Sequence, residues 1–178
     1  MKQQKFDLAR DRYIEAYITE PYNSRTIGGM NDFAEVTSVK LAHPAITLPE
    51  ITFDASDKAV PKPSIDANVP ASKPMLAYMA GREAWKKDKF AKAFPKETAY
   101  RHSLPEEAYA IRAAIAAANQ KSTDPQLLVL KKLDSEGLLE AYILMARPDQ
   151  GIAEDHPGYL KDNRPKLRQY VANYVIQK

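Results

Sequence analysis

The sequence predicts a mainly α-helical protein, with a compact bundle of about five helices over residues 74–178. An N-terminal helix and a long extended proline-rich arm precede this bundle. Three observations support the fold class. After residue 74, apolar residues recur at helical spacing. Capping residues or prolines open most of these stretches, and short loops separate them. Prolines cluster instead between residues 21 and 74, where they exclude long helices.

The first segment, residues 1–20, is predicted to be an amphipathic helix. Phe6, Ala9, Tyr13 and Tyr17 recur at helical spacing, which places them on one face. The next residue along the chain is a proline, and proline ends a helix because it lacks the backbone donor. We therefore expect a short N-terminal helix with an aromatic stripe.

Residues 21–73 are predicted to be an extended arm. Nearly half of the 13 prolines fall in this tract. Val39 with Leu41, and Ile51 with Phe53, alternate with polar residues, which predicts one or two short edge strands. Structureless loops longer than about 15 residues are uncommon inside compact domains. We therefore expect the arm to lie on a surface, either the chain's own helices or a neighbouring subunit.

Residues 74–178 are predicted to form the helical domain. Its first helix opens at Pro74 and ends before Pro95. The expected core face of this helix contains Leu76, Met79, Ala80, Ala84 and Trp85. A capping-box pattern at Ser103 to Glu106 opens the next helix. One side of that helix carries only alanines, which allow close helix–helix approach: Ala110, Ala113, Ala114 and Ala117.

Three further helices are predicted towards the C-terminus. Asp124-Pro125 opens one, Asp134-Ser135 caps the next, and Arg147-Pro148 ends it. A loop is expected through His156-Pro157-Gly158, followed by a last helix capped by Asn163. The apolar stripe of that last helix contains Leu167, Tyr170, Val171, Tyr174 and Val175.

The sequence contains no recognisable catalytic motif. It has no cysteine, and its three histidines, His43, His102 and His156, match no helical metal-binding pattern. Its six glycines form neither a phosphate-binding loop nor a dinucleotide fingerprint. We therefore expect a protein that is not an enzyme, with no catalytic residue, no cofactor and no metal site.

A small enzyme assembled from distant residues is the second alternative function. Its candidate groups are His102 with Glu106 or Glu107, and His156 with Asp155. Motif analysis cannot detect such a site, because the residues that form it meet only in the folded chain.

The charge distribution suggests the first alternative, a helical module associated with nucleic acid. The formal net charge is +3, but residues 82–101 and 161–178 both carry an excess of lysine and arginine. The candidate contacts to an anionic partner are Lys86, Lys87, Lys89 and Lys92. Aromatic residues lie between these lysines, although an ordinary amphipathic helix end gives the same pattern.

The favoured function is a non-enzymatic structural or assembly subunit of a larger complex, such as a virion or phage particle or an accessory subunit of a large machine. Its partners would be several other protein subunits, contacted through the extended arm. No signal peptide or membrane-spanning segment is evident, so we expect a cytoplasmic location or one within an assembled particle. The candidate partner-binding residues are Phe6, Tyr13, Tyr17, Val39, Leu41, Ile51 and Phe53.

Overall fold

The computed structural model describes residues 2–66, 68–69, 72–119 and 122–177, with side chains from residue 6 onward. This part of the chain is mainly helical, as predicted. Parts of the three predicted segments lie outside the described residues, at positions 1, 67, 70, 71, 120, 121 and 178. Pro70, one of the prolines assigned to the arm, is among them.

Eight α-helices and four short strands make up the described fold. The helices are α1 (Lys2–Thr19), α2 (Ser24–Thr37), α3 (Lys73–Ala84), α4 (Phe90–Ala93), α5 (Leu104–Ala117), α6 (Pro125–Ser135), α7 (Leu139–Ala146) and α8 (Gln150–Tyr170). The strands are β1 (Lys40–Leu41), β2 (Glu50–Phe53), β3 (Ala59–Lys62) and β4 (Ile176–Gln177). β1 pairs antiparallel with β4, and β2 with β3. Two π-helical turns, Trp85–Lys89 and Val171–Val175, follow α3 and α8.

Helix α7 lies at the centre of the core. All but one of its residues are apolar, and a helix that is apolar on every side is stable only when other elements surround it. Tyr142 and Ile143 are essentially inaccessible to solvent. Leu133 from α6, Ile111 from α5 and Leu167 from α8 belong to the same core cluster.

Helices α3 and α5 pack at unusually short range. A Cβ atom built on Gly81 would lie 2.8 Å from the Cα atom of Ala110, so only glycine fits there. The predicted alanine side of α5 is confirmed at Ala110 and Ala114, which are buried. The predicted core face of α3 is wrong, because the residues it buries are Pro74, Tyr78, Gly81 and Arg82. Tyr78 and Arg82 hydrogen-bond to glutamates of α5, and these contacts turn that side of α3 towards the core.

The prediction of an extended arm over residues 21–73 is wrong for its first part, which forms α2. Pro21 and Pro44 bracket a stretch without proline, so nothing in that stretch prevents a helix. The Asn23 side chain caps α2 by accepting a hydrogen bond from the Arg25 amide. Ser38, at φ 55°, ends the helix in the left-handed conformation. The prolines therefore mark the ends of this helix.

Residues 40–62, which follow α2, cross the chain's own helices. β1 and β2 form where the alternating pairs predicted short strands. The Ala42 amide donates to the Val175 carbonyl at 3.0 Å, and Arg147 donates to the Ile46 carbonyl at 3.2 Å. Leu48 is buried in the core. Residues 40–62 are thus held by contacts within one chain.

Two boundaries in the C-terminal half differ from the predictions. The expected loop at 156–158 lies inside α8, which Asp149 caps by accepting from the Ile152 amide at 2.8 Å. Asn163, the expected cap, is instead a kink in α8, at φ −128° and ψ 23°, two residues before Pro165. The predicted cap at 134–135 belongs to α6, and the chain turns into α7 at Gly137, whose φ of +68° favours glycine.

Candidate functional site

Two concave surfaces stand out on the described part of the chain. The apolar groove lies between α1, α2 and β4 and has a volume of about 660 Å³; its side chains include Phe6, Arg10, Phe33, Val36, Val39 and Ile176. The charged cleft has a volume of about 550 Å³ and lies between the segment Pro49–Thr52 and a wall of ionisable side chains. These side chains are Tyr78, Arg82, His102, Glu107, Arg147 and Asp149.

The apolar groove is formed where α1 crosses α2. The rings of Tyr13 and Phe33 pack with their centroids 5.3 Å apart, which brings the two helices together. Arg10 donates to the Ala172 carbonyl at 3.1 Å and ties α1 to the C-terminal π-helical turn. Phe33 is buried beneath the groove, whereas Phe6 is 47% exposed and Val36 75% exposed. Large apolar side chains therefore project beside an apolar recess.

The predicted partner-binding residues divide into two groups. Phe6 and Val39 line the apolar groove, and Tyr13 contacts its floor through Phe33. The others contact the chain itself: Tyr17, Leu41 and Ile51 are half-buried against the core, and Phe53 packs edge-on against Tyr100.

The predicted aromatic stripe of α1 is only partly its core face. The residues that α1 buries most completely are Ile14 and Ile18. Phe6 and Tyr13, which the sequence placed on the aromatic stripe, are exposed. The stripe thus lies beside the core at its C-terminal end and over the apolar groove at its N-terminal end.

The four lysines proposed to contact an anionic partner do not form one free cationic face. Lys86 pairs with Asp57 at 2.6 Å and lies 4.2 Å from the centre of the Phe53 ring. Lys89 lies 5.0 Å from the centre of the Tyr109 ring. Lys87 and Lys92 are exposed. Half of the predicted contacts are therefore already used within the chain.

The charged cleft is built on three side chains buried between α3 and α5. Glu106 and Glu107, in the first turn of α5, are 0% and 1% exposed, and Arg82 of α3 is 5% exposed. The Arg82 Nε atom donates to Glu106 at 2.6 Å, and the Arg82 Nη1 atom lies 3.4 Å from a Glu107 oxygen. Tyr78 donates to the same Glu107 oxygen at 2.7 Å. Buried charges are tolerated only when paired in this way.

His102 connects this buried group to the start of α8. Its Nδ1 atom lies 2.5 Å from Asp149, and its Nε2 atom 3.2 Å from Glu107. Burial alone would lower the pKa of His102, but the hydrogen bonds to Asp149 and Glu107 outweigh burial and raise it. Only the protonated ring can donate from both nitrogens. The geometry therefore favours an imidazolium held between two carboxylates.

The two carboxylates respond in the opposite sense. Burial would raise the pKa of Glu107, but His102 and Arg82 reverse that effect and lower it. The pKa of Asp149 is also lowered, since its bonds to His102 and to the Ile152 amide outweigh partial burial. Near neutral pH the cluster therefore holds ionised carboxylates.

The two histidine pairings of the enzyme alternative have different outcomes. The structure brings His102 to Glu107, while Glu106 accepts instead from Arg82 and Tyr100. His156 hydrogen-bonds the Ile18 carbonyl at 2.9 Å rather than the Asp155 side chain. Asp155 pairs with Arg101 at 2.7 Å and accepts from the Leu104 amide.

Sequence analysis missed four members of the cleft: Tyr78, Arg82, Arg147 and Asp149. They belong to distant parts of the chain, and none stands in a motif with His102. One signal was available, because Tyr78 and Arg82 are four residues apart on a helix and therefore share a face. That spacing lets both side chains reach the same buried partner, Glu107.

Within the described ranges, no group of three or more histidine, aspartate and glutamate side chains has the geometry to hold a metal ion. No helix in that part of the chain combines the length and the apolar character that crossing a membrane requires. No protein-family model matches the chain, and no curated protein or solved structure matches it either.

Proposed function

We propose that this protein is a non-enzymatic assembly subunit that contacts a neighbouring protein chain through the apolar groove. The observation that carries the proposal is the exposure of Phe6 and Val36 beside a recess floored by Phe33. Large contiguous apolar patches on soluble proteins usually mark sites of interaction. The proposed contact is the groove rather than the arm, because the segment after α2 lies on the chain's own helices.

The first neighbour to consider is a second copy of the chain. The patch contains both projecting side chains, Phe6 and Val36, and a recess that can receive them, as a two-fold interface requires. The rim residues Asp7 and Arg10 carry opposite charges, so the rim has no net charge that would repel a second copy. Burying one large apolar side chain stabilises a contact by about 1.5–3 kcal/mol.

In this proposal the side chains of the charged cleft stabilise the fold and do not act as acid–base catalysts. Both ring nitrogens of His102 contact carboxylates, so neither is left to accept a proton from a substrate. The cluster holds α3, α5 and the start of α8 together, which is a role in stability.

The proposal is tested by measuring the oligomeric state from micromolar to near-millimolar concentration by sedimentation velocity. We expect the unaltered chain to self-associate with rising concentration. Phe6→Glu and Val36→Glu each place a charge in the groove, and each should weaken association at least about tenfold, since burying an unpaired charge is strongly unfavourable.

The matched control is Leu128→Glu. Leu128 is 50% exposed on α6 and lies outside the groove. This variant adds the same charge to an exposed apolar position, and it should associate like the unaltered chain. A chain that stays monomeric throughout the range, or equal weakening by Leu128→Glu, would contradict the proposal.

A further inference from the structure

Three residues of β2, Glu50, Ile51 and Thr52, line one wall of the charged cleft. The register of the two-stranded sheet pairs Thr52 with Val60 and Phe53 with Ala59. Just beyond the ladder, the Asp54 amide donates to the Lys58 carbonyl at 3.0 Å, which makes this a hydrogen-bonded pair. Pairs alternate along an antiparallel ladder, so Thr52 also bonds to β3, while the backbone groups of Phe53 and Ile51 face away from it.

The outer edge of β3 is protected, unlike that of β2. Ala59 donates its outward amide to the Glu83 side chain of α3 at 2.7 Å. Pro61, the partner of Ile51, has no amide to offer on the same edge. Among the described residues, the outward amides and carbonyls of Ile51 and Phe53 have no backbone partner. β2 therefore presents an open edge, and the segment that contains it lines the cleft.

The opposite wall contains a cation whose charge is poorly matched. Arg82 and His102 each contact two carboxylates. Arg147 donates to the Ile46 carbonyl at 3.2 Å, and its ionic contact is a long one, 3.5 Å from its Nε atom to the Glu107 Oε1 atom. The Arg147 Nε atom is buried without a hydrogen-bond partner. The side chain is 26% exposed, so a carboxylate in the cleft would give the guanidinium a charge-assisted hydrogen bond in addition to these contacts.

We propose that the charged cleft binds a short extended peptide carrying a carboxylate side chain, which adds a third strand to β2 and pairs with Arg147. Strand addition to an open edge takes its affinity from main-chain hydrogen bonds, and flanking side chains supply the selectivity. A cleft of about 550 Å³ has the volume of pockets that enclose small ligands, about 300–1,000 Å³. This site is separate from the apolar groove and does not depend on self-association.

The experiment uses the full chain labelled with ¹⁵N and a pool of capped pentapeptides. Glutamate occupies the centre of each peptide, and valine, isoleucine, threonine and tyrosine vary at the other positions. We expect the largest amide shifts at Ile51 and Phe53. A second pool, N-methylated at alternate residues, cannot form the main-chain bonds and should cause no shifts there. A third pool with central glutamine should bind about tenfold more weakly, because it lacks the charge-assisted contact.

Arg147→Gln tests the guanidinium in the protein. It should reduce the affinity for the glutamate pool about tenfold and leave the affinity for the glutamine pool unchanged. If Arg147→Gln fails to fold, the methylated and glutamine pools still decide the question on the unaltered chain. The proposal is overturned if Ile51 and Phe53 do not shift with any peptide, or if the methylated pool shifts them equally. Shifts confined to Phe33 and Val36 would also overturn it and would leave the apolar groove as the peptide site.

Discussion

The apolar groove and the charged cleft are similar in volume but differ in what supports them. Behind the groove lies the ordinary packing of α1 on α2, and its projecting side chains touch little else. Behind the cleft lie Arg82, Glu106 and Glu107, each nearly or fully buried and each paired. The groove thus leaves apolar surface exposed, whereas the cleft has already matched most of its charges internally.

This difference indicates how each surface can bind. A groove without internal partners gains free energy from any apolar side chain that covers it. The cleft has little charge left to offer, since His102 and Arg82 are occupied by carboxylates. What remains available in the cleft is the open backbone edge of β2 and the partly exposed guanidinium of Arg147, whose contact with Glu107 is long. Substitutions in the cleft should therefore change mainly the free energy of unfolding, and substitutions in the groove should change mainly self-association.

The largest effect is expected from Arg82→Ala. This change leaves Glu106 and Glu107 buried without their shared cation, and breaking a buried ion pair on one side costs about 3–5 kcal/mol. Urea unfolding followed by circular dichroism measures the loss. The matched control is Arg112→Ala, which removes an exposed arginine that also pairs with two carboxylates, Asp134 and Glu140. The control should lose no more than about 1 kcal/mol, and equal losses would show that the burial of the cluster is unimportant.

The second effect concerns two helix glycines, one at the α3–α5 contact and one in α2. Gly81→Ala places a Cβ atom 2.8 Å from the Ala110 Cα atom, at the α3–α5 contact beneath the cleft. Overpacking of this kind should cost about 1–3 kcal/mol. Gly28→Ala in α2 meets no atom within 4 Å. It should stabilise the helix by up to about 1 kcal/mol, because alanine favours helix over glycine. Thermal unfolding of both variants checks the contrast, and two changes of the same sign would contradict it.

The accuracy of sequence analysis differs between the two surfaces for a physical reason. The helices around the cleft were predictable from apolar spacing and caps, as at Asp124 before α6. The cleft itself was not, because its charged side chains come from distant segments and carry no local pattern. Near the groove, Phe6 and Val39 were identified as partner-binding candidates, but α2 was not predicted. Pro21 and Pro44 lie outside α2. The high number of prolines in the whole tract led to the prediction of an extended arm, although the stretch between these two contains none.

A loss of stability with rising pH is expected from His102 in the cleft. His102 faces Tyr78 and Arg82 from α3, Glu107 from α5, Arg147 and Asp149 from the turn before α8, and Glu50 from β2. Because the folded-state pKa of His102 is raised above 6.5, the ring contributes stability that is fully present below pH 6.5. That contribution is lost as the pH rises through the folded-state pKa.

Unfolding free energies of the unaltered chain and of His102→Gln are compared from pH 6 to pH 9, and the stability that His102 adds should decline over this range. His43 and His156, whose pKa values are lowered by burial, act in the opposite sense: they cost stability until the pH passes the unfolded-state pKa of about 6.5, and both chains share that effect. The self-association proposed for the groove should not change over the same range. If the unfolding free energy of His102→Gln declines as much as that of the unaltered chain, groups other than His102 cause the decline.

The smallest effect on stability is expected in the groove. Val36 is 75% exposed, so Val36→Glu should change the free energy of unfolding of the monomer by no more than about 0.5 kcal/mol. The same variant is expected to weaken self-association at least about tenfold. Dilute samples, unfolded in urea and compared with the unaltered chain, measure the first quantity without the second. A large loss of monomer stability would mean that Val36 packs against the core. The groove would then contribute to folding and would not be a surface that is free to bind a neighbour.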